Sequence, residues 1–222
     1  VVFYVFFYIK INLFNFVNMF PLRAKVKIIG LPISLSQKGY WGNQSSIEKI
    51  INEKKGFKIV LNGDTEFIKG VRTLSSFIFE NKFSTFNEYL NNLRSSYRRR
   101  ISKALSHRND IEIRKLDRKN FNEKHYKLYL SIMQRTKNPL ETLPKEFFNA
   151  YEAELYEFID KKTKNILGFI QIKEIEDKLY FLFGGFRKED TENFDIYYNM
   201  LLKIIEIGIE KHVKSIEFGQ TA

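Results

Sequence analysis

The chain has 222 residues, of which 44% are hydrophobic and 28% charged, and it contains no Cys. This composition is ordinary for a globular protein, and it excludes a disulfide scaffold, a thiolate metal site and a cysteine nucleophile. An excess of 37 Lys and Arg over 26 Asp and Glu gives a formal charge of +11, which favours anionic partners such as nucleic acid, an acidic lipid surface or a phosphorylated ligand.

Residues 1–20 form an apolar head, VVFYVFFYIKINLFNFVNMF, which is rich in aromatic and β-branched side chains. Lys10 and three Asn interrupt it, and such residues are costly inside a membrane span. No signal-peptide cleavage pattern follows it. Three interpretations stay open: translated upstream sequence with Met19 as the natural start, a membrane or interfacial segment, and a buried strand.

Residues 21–81 carry the signals of a small α/β region. The predicted elements are strands at 26–32, at 57–63 and within 67–80, and a helix over 45–55. Ser45 followed by Glu48 is a helix-capping pattern. Tyr40 and Trp41 lie in a loop between two glycines, where they either form a platform for a substrate or anchor the loop to the core.

Ser84 opens the clearest helical pattern of the chain, which ends near 107–109. Apolar side chains recur every three or four residues from Phe86 to Leu105, so we predict one continuous amphipathic helix. Its stretch 94–108 holds several cations and no acid. This stretch is therefore a candidate anion patch for tRNA or a polyanionic glycan, with a solvated helix face as the alternative. The patch residues are Arg94, Arg98, Arg99, Arg100 and Lys103.

The rest of the chain is predicted as a strand, two helices, three strands, a helix and a last strand. Strands are predicted at 111–117, 155–160, 166–174, 179–186 and 215–220, helices at 121–136, 145–153 and 194–212, and a polar loop at 187–193. Three consecutive strands followed by a helix and a returning strand indicate a mixed α/β sheet. His125 and His212 are placed on helix faces with no acid or Ser partner in a triad arrangement, so nucleophilic catalysis has no support.

This element order resembles the GNAT N-acyltransferase fold, with two helices between the first strand and a three-strand meander. Short strings resemble its Fem-like branch of peptidyl and aminoacyl transferases: FNEYLNNLRSSYRRRISKA, HYKLYLSIMQRT, GFIQIK, YFLFGGF and YYNMLLKIIEIGIEKHVKSIEFGQTA. The resemblance covers residues 82–222 and implies an α/β, GNAT-like mixed sheet with helices on both faces. It also implies further elements after Gln220, so we expect a fragment that is truncated at its C-terminus and preceded by the smaller α/β region at 21–81.

The resemblance implies transfer of an acyl or aminoacyl group to an amine of a sugar, peptide or nucleotide-linked precursor. The donor would be acyl-CoA or aminoacyl-tRNA, with no metal, in cell-envelope or polysaccharide biosynthesis in the cytoplasm or at the inner face of the membrane. One departure stands out. Typical GNAT enzymes hold the CoA pyrophosphate in a glycine-rich loop, whereas the corresponding residues 187–195 are acidic and contain no glycine.

Glu217 is the predicted catalytic base. It alternates with Ile216 and Phe218 and therefore faces the opposite side of the sheet. If helices cover both faces, its carboxylate is partly desolvated, as a general base for an amine needs. The alternative is an exposed glutamate on an edge strand.

The strand ends supply the other candidate residues. GNAT domains bind the acyl donor through the main chain of the central strand, which implies a donor site; a bulge or simple strand end is the alternative. The donor-binding candidates are Phe183, Gly184, Gly185 and Arg187. Parallel strands that splay apart form the usual α/β ligand crevice. The substrate-binding candidates are Tyr180, Gln220, Thr221, Tyr40 and Trp41.

Two further functions stay open. One is a non-catalytic module on a decayed transferase fold, which binds RNA or glycan through the anion patch; the acidic segment 187–195 favours it. The other is a membrane-surface protein anchored by residues 1–20.

Overall fold

The protein is described by a computed structural model that covers two compact units, Val1–Ser75 and Ser76–Thr221. The described residues are 1–12, 23–31, 36–53, 56–63, 70–71, 75–136 and 142–220, without the side chains of Thr191, Glu192 and Gln220. The division precedes the strand 76–80, because that strand pairs within the sheet of the second unit. The sequence pattern had placed the boundary between residues 81 and 82.

The first unit contains, among its described residues, a two-stranded and a three-stranded sheet with one helix. Its elements are β1 (Val2–Tyr4), β2 (Phe6–Asn12), β3 (Arg23–Ile29), β4 (Tyr40–Gly42), α1 (Gln44–Asn52) and β5 (Phe57–Val60). Residues 1–12 of the apolar head thus form strands, and β2 alternates exposed and half-buried side chains. Asn43, rather than the predicted Ser45, caps α1 by accepting a hydrogen bond from the Ser45 N–H. No helix in the described part of the chain is long and apolar enough to cross a membrane.

The second unit is a six-stranded sheet flanked by helices, in the order β6-β11-β10-β9-β8-β7. Its elements are β6 (Ser76–Glu80), α2 (Phe86–Asn92), α3 (Ser95–Arg108), β7 (Ile111–Leu116), α4 (Glu123–Arg135), α5 (Lys145–Ala150), β8 (Glu154–Asp160), β9 (Ile166–Ile175), β10 (Lys178–Phe186), α6 (Glu189–Phe194), α7 (Ile196–Glu210) and β11 (Ser215–Gln220). The neighbours β10 and β11 are parallel, and the other pairs are antiparallel. The predicted mixed α/β sheet is confirmed.

Successive side chains of β9 point to opposite faces of the sheet, and each face is covered by different helices. Ile170 and Ile172 belong to the core shared with α3 and α7. Phe169 points to the other face, where its ring lies 5.2 Å from that of Phe121, and Phe148 of α5 packs on the same side. The sheet therefore carries helices on both faces, as predicted.

The predicted continuous helix 84–109 is wrong, because the chain breaks into α2 and α3 at Leu93. Leu93 has an extended backbone (φ −68°, ψ 143°). The Arg98 guanidinium donates to the Asn91 and Leu93 carbonyls at 2.8 and 2.9 Å and thereby satisfies the end of α2. Tyr97, which the predicted stripe placed on the apolar face, is 55% exposed.

Two further expectations are corrected at the C-terminal end of the sheet. The segment predicted as a polar loop at 187–193 contains helix α6, and Arg187 pairs with Asp190 within it at 2.9 Å. Strand β11 is not an edge strand, because β6 pairs along its other side. The interior position of β11 could not be seen from local periodicity, since it depends on pairing with the distant strand β6.

Candidate functional site

The parallel strands β10 and β11 diverge near the middle of the sheet. Their register runs from Lys178 opposite Ser215 to Tyr180 opposite Glu217, and the described residues show no further pair. Beyond Tyr180 a bulge shifts the pairing of β10 with β9, and such an extra residue bends a strand. The backbone of β10 beyond Tyr180 therefore has no strand partner on its β11 side within the described chain, and an extended ligand could pair there.

Glu217 and Tyr180 lie side by side at the point where the two strands part. Both are buried, with 5% and 4% of their surface exposed. Their register, and that of Lys173 opposite Tyr180 on β9, places all three side chains on one face of the sheet. Glu217 thus lies on an interior strand, so its interpretation as an exposed edge glutamate is wrong.

Glu217, Tyr180 and Lys173 form a row on the face of the sheet that α4 and α5 cover. Gln171, two residues before Lys173 on β9, donates from its side-chain amide to the Phe148 carbonyl at 3.1 Å. Residues two apart on a strand share a face. Ile78, which lies opposite Glu217 on β6, is 51% exposed. Solvent therefore reaches this face of the sheet next to Glu217.

Lys173 extends the row to a cation that sequence analysis missed. Its Nζ lies 5.0 Å from the centre of the Tyr151 ring and 3.8 Å from a carboxylate oxygen of Glu152. Burial raises the pKa of Tyr151, and the charge of Glu152 adds to this, so the phenol stays protonated at neutral pH. A lysine on a strand has no local signal that would set it apart, and only the register reveals its neighbours.

Of the two glycines in the predicted donor site, Gly185 is required by the close approach of helix α4, whereas Gly184 faces side-chain tips. A Cβ on Gly185 would lie 2.5 Å from the Phe169 ring and 2.7 Å from the Tyr129 backbone nitrogen in α4. A Cβ on Gly184 would instead meet the tips of the Phe181 and Met200 side chains at 2.9 and 3.0 Å. The adjacent Phe183 packs edge-on against the ring of Phe148 with their centres 5.1 Å apart. These residues bring α4 close to the end of β10.

A cleft of about 230 Å³ lies beyond the end of β10. Its lining residues are Ser131, Gln134, Arg135, Arg187, Lys188 and Glu189. Ser131 and Arg135 both donate to the Phe186 carbonyl, at 3.0 and 3.2 Å, and so tie α4 to the strand end. Three cations against one carboxylate suit a phosphate-bearing ligand. Of this set, the sequence analysis had selected Arg187 alone.

His125 has an acid partner, Glu157, that the sequence did not reveal. The ring is fully buried, with its Nε2 3.1 Å from a carboxylate oxygen of Glu157. Its Nδ1 accepts a hydrogen bond from the Asn122 N–H at 3.1 Å and completes the cap of α4. Nε2 therefore carries the proton and donates it to Glu157. Burial lowers the pKa of His125, so the ring acts as a neutral structural group.

The anion patch is smaller than predicted, since Arg98 is held by the end of α2. Arg94, Arg99, Arg100 and Lys103 are exposed, and none forms an ion pair with another described residue. Arg99 and Lys103 are one helical turn apart, and Arg100 lies on the adjoining side of α3. A continuous group of three cations therefore faces solvent on this helix.

The remaining substrate-binding candidates are Gln220, Thr221, Tyr40 and Trp41. Gln220 ends β11, its side chain is not described, and Thr221 lies outside the described residues. Tyr40 and Trp41 belong to the first unit, where Tyr40 is buried in the core with Ile29 and Trp41 is 44% exposed. No group of three or more His, Asp or Glu in the described ranges is arranged to hold a metal ion.

Comparison with known proteins identifies the fold. No family model and no curated protein matches the chain. The crystal structure of FemX matches with a TM-score of 0.54 at 14% identity over 66% of this chain and 52% of FemX. The structure of L-PGS from Bacillus licheniformis matches with a TM-score of 0.57 at 10% identity over 88% of this chain and 64% of L-PGS. The chain thus spans about half to two thirds of these structures, and at such identities the likeness shows the fold alone, a GNAT-like mixed α/β sheet.

Proposed function

We propose that the chain belongs to an N-acyltransferase that moves an acyl or aminoacyl group from a thioester or ester donor to an amine. The observation that carries this proposal is the divergence of β10 and β11 directly after Tyr180 and Glu217, on a Fem/GNAT-like fold. The donor is acyl-CoA or aminoacyl-tRNA, and the acceptor is an amine of a sugar, peptide or nucleotide-linked precursor. Because both donors are cytoplasmic compounds, we place the reaction in the cytoplasm or at the inner face of the membrane.

The donor would lie along the unpaired edge of β10. Backbone N–H groups of 183–185 would polarise its carbonyl, as an oxyanion hole does. Its phosphate groups would extend into the cleft, where Arg135, Arg187 and Lys188 supply positive charge. The strand end and the cleft together would bind one elongated donor.

Glu217 would act on the acceptor at the point where the strands part. The amine nitrogen attacks the donor carbonyl carbon, so that a C–N bond forms and the C–S or C–O bond breaks. Glu217 takes the proton that the amine loses and passes it, directly or through water, to the departing thiolate or alkoxide, which leaves as a thiol or alcohol. General-base catalysis of this kind contributes about 10²- to 10⁴-fold to a rate.

The test is a transfer assay on the purified protein with Glu217→Gln. Acetyl-CoA and bulk aminoacylated tRNA are supplied separately as donors, with glucosamine, an amine-bearing pentapeptide and a nucleotide-linked amino sugar as acceptors. We expect kcat to fall at least a hundredfold while the KM of the donor stays unchanged. Glu80→Gln, on the neighbouring strand and exposed, is the matched control. Full turnover by Glu217→Gln would remove the base assignment.

A second function is favoured by the three unpaired cations of α3. A module that binds polyanions through Arg99, Arg100 and Lys103 would show affinity for RNA that falls steeply with salt. Each lost phosphate contact reduces the slope of log K against log salt by about 0.7 to 0.9, so the triple Ala variant should lose about two units of slope. Such binding without transfer from any donor would select this function over the transferase.

A further inference from the structure

We infer that Lys173 is the anion-binding position of the acceptor site, so that the acceptor is an amine that also bears a carboxylate or phosphate. This inference rests on the proposed function, because it takes Glu217 as the position of the reacting nitrogen. It follows from the order of three side chains across three adjacent strands: an acid on β11, a phenol on β10 and a cation on β9.

The register limits how far apart the two charged ends of the acceptor lie. Tyr180 is opposite both Glu217 and Lys173, so the two charged residues are separated by two strand spacings. Neighbouring strands lie about 4.8 Å apart, which puts these backbone positions about 10 Å from each other. Their side chains leave the sheet on the same face. An acceptor that reaches both side chains would therefore span a distance of about 10 Å between the two backbone positions.

The charge of Lys173 is only weakly neutralised. Its ion pair with Glu152 is long at 3.8 Å, and the Glu152 side chain is 83% exposed. Solvated pairs of this kind contribute little energy. Lys211, by contrast, is held by Glu154 at 2.6 Å and by Glu174 at 2.8 Å. Lys173 can thus exchange Glu152 for an anionic ligand at a small cost in free energy, whereas Lys211 is held in two short ion pairs with strand residues.

The surroundings of Lys173 fix where its ammonium lies. Its side chain is 26% exposed, so the stem is largely covered and the charged end reaches solvent. The Tyr151 ring lies 5.0 Å from Nζ, within the distance of a cation–π contact. Tyr151 in turn stacks on Phe147 of α5 at 5.3 Å. The ammonium is therefore held beside a rigid aromatic wall on the face that carries Glu217.

The experiment compares acceptors that share the glucosamine core and differ in the anion and in the position that carries it. D-glucosamine 6-phosphate carries a phosphate, muramic acid carries a carboxylate, and D-glucosamine carries neither. Each is assayed for transfer, and its binding is measured independently by calorimetry in the absence of donor. The variants are Lys173→Met, which keeps the apolar stem, Lys173→Arg, which keeps the charge, and Lys162→Ala, which removes an exposed lysine from a turn of the same unit.

We expect Lys173→Met to raise KM and Kd about tenfold for the preferred anionic amine, with kcat unchanged, because one charge-assisted hydrogen bond is lost. Lys173→Arg should restore binding, and glucosamine should be unaffected by any variant. The phosphate and carboxylate arms identify which anion is recognised. Equal affinities of all three amines for the wild type, or an equal effect of Lys173→Met on all three, would overturn the inference. Anion binding that depends on Lys173 without any transfer would instead refute the proposed function and leave the anion site intact.

Discussion

Gly184→Ala and Gly185→Ala form a matched pair that separates helix packing from donor binding. The two glycines are adjacent on β10. A Cβ added at each would point to a different face of the sheet and would meet different neighbours. At Gly185 the added atom would lie 2.7 Å from both the Leu128 carbonyl carbon and the Tyr129 nitrogen. At Gly184 the nearest atoms belong to the ends of two side chains, Phe181 and Met200.

The magnitude follows from how far each neighbour must move. Carbon atoms in contact normally lie about 3.5 to 4.0 Å apart, so α4 would have to retreat by about 1 Å to admit a methyl group at Gly185. Overpacking of this kind costs about 1–3 kcal/mol, and Ala recovers about 0.5–1 kcal/mol by lowering the entropy of the unfolded chain. Gly185→Ala should therefore cost about 1–2 kcal/mol, and Gly184→Ala should be close to neutral because side-chain tips can turn away.

Thermal denaturation followed by circular dichroism measures the difference. A loss of about 1–2 kcal/mol lowers Tm by roughly 2–8 °C in a unit of this size, whereas Gly184→Ala should move it by less than about 2 °C. Binding of the donor is measured on both variants below their transitions. Equal Tm shifts would refute the packing argument. An unshifted Gly185→Ala that has lost donor binding would show that the glycine serves the ligand instead of α4.

Two other predictions concern buried polar contacts. Burial lowers the pKa of His125, so the unfolded chain binds a proton at a higher pH than the folded protein does. The free energy of unfolding, measured in urea, should therefore fall as pH drops below about 6.5. His125→Leu should flatten this pH dependence, and an unchanged slope would contradict the prediction. Asn199 is fully buried, and its side-chain amide donates to the Ala104 and Phe194 carbonyls at 2.8 and 2.9 Å. Asn199→Ala should cost about 2–4 kcal/mol in the same assay, because two buried carbonyls lose their donor. A loss below about 1 kcal/mol would show that the carbonyls find other donors.

The strands of the second unit were predictable from sequence because their signal is local. β8, β9 and β10 begin and end within about two residues of their predicted limits, since an apolar run bounded by turn residues carries both the type and the length of a strand. Their arrangement also agreed with the resemblance to the GNAT fold. What local patterns could supply was therefore the element order and the class of the sheet.

The errors arose where a distant partner decides the local structure. The apolar stripe from Phe86 to Leu105 continues unbroken in sequence, yet the chain leaves the helix at Leu93, where the Arg98 guanidinium takes over the free carbonyls. His125 and Glu157 are 32 positions apart, so no spacing rule could pair them. Glu217 was correctly placed opposite to Ile216 and Phe218, but its burial depends on β6, which the sequence assigned to another region.

The acidic segment 187–195 follows β10, and its sequence argues against a phosphate-bearing donor. The structure shows that two of its acids have positively charged or histidine partners. Asp190 is paired with Arg187 at 2.9 Å, and the Asp195 carboxylate lies 3.0 Å from the His107 ring. Glu189 is then the one described acid of this segment that lines the cleft, beside Arg135, Arg187 and Lys188. Even when Asp190 is counted, three positive charges stand against two negative ones. The described residues of the cleft therefore carry a net positive charge, so the acids of 187–195 do not by themselves make the cleft repel an anion.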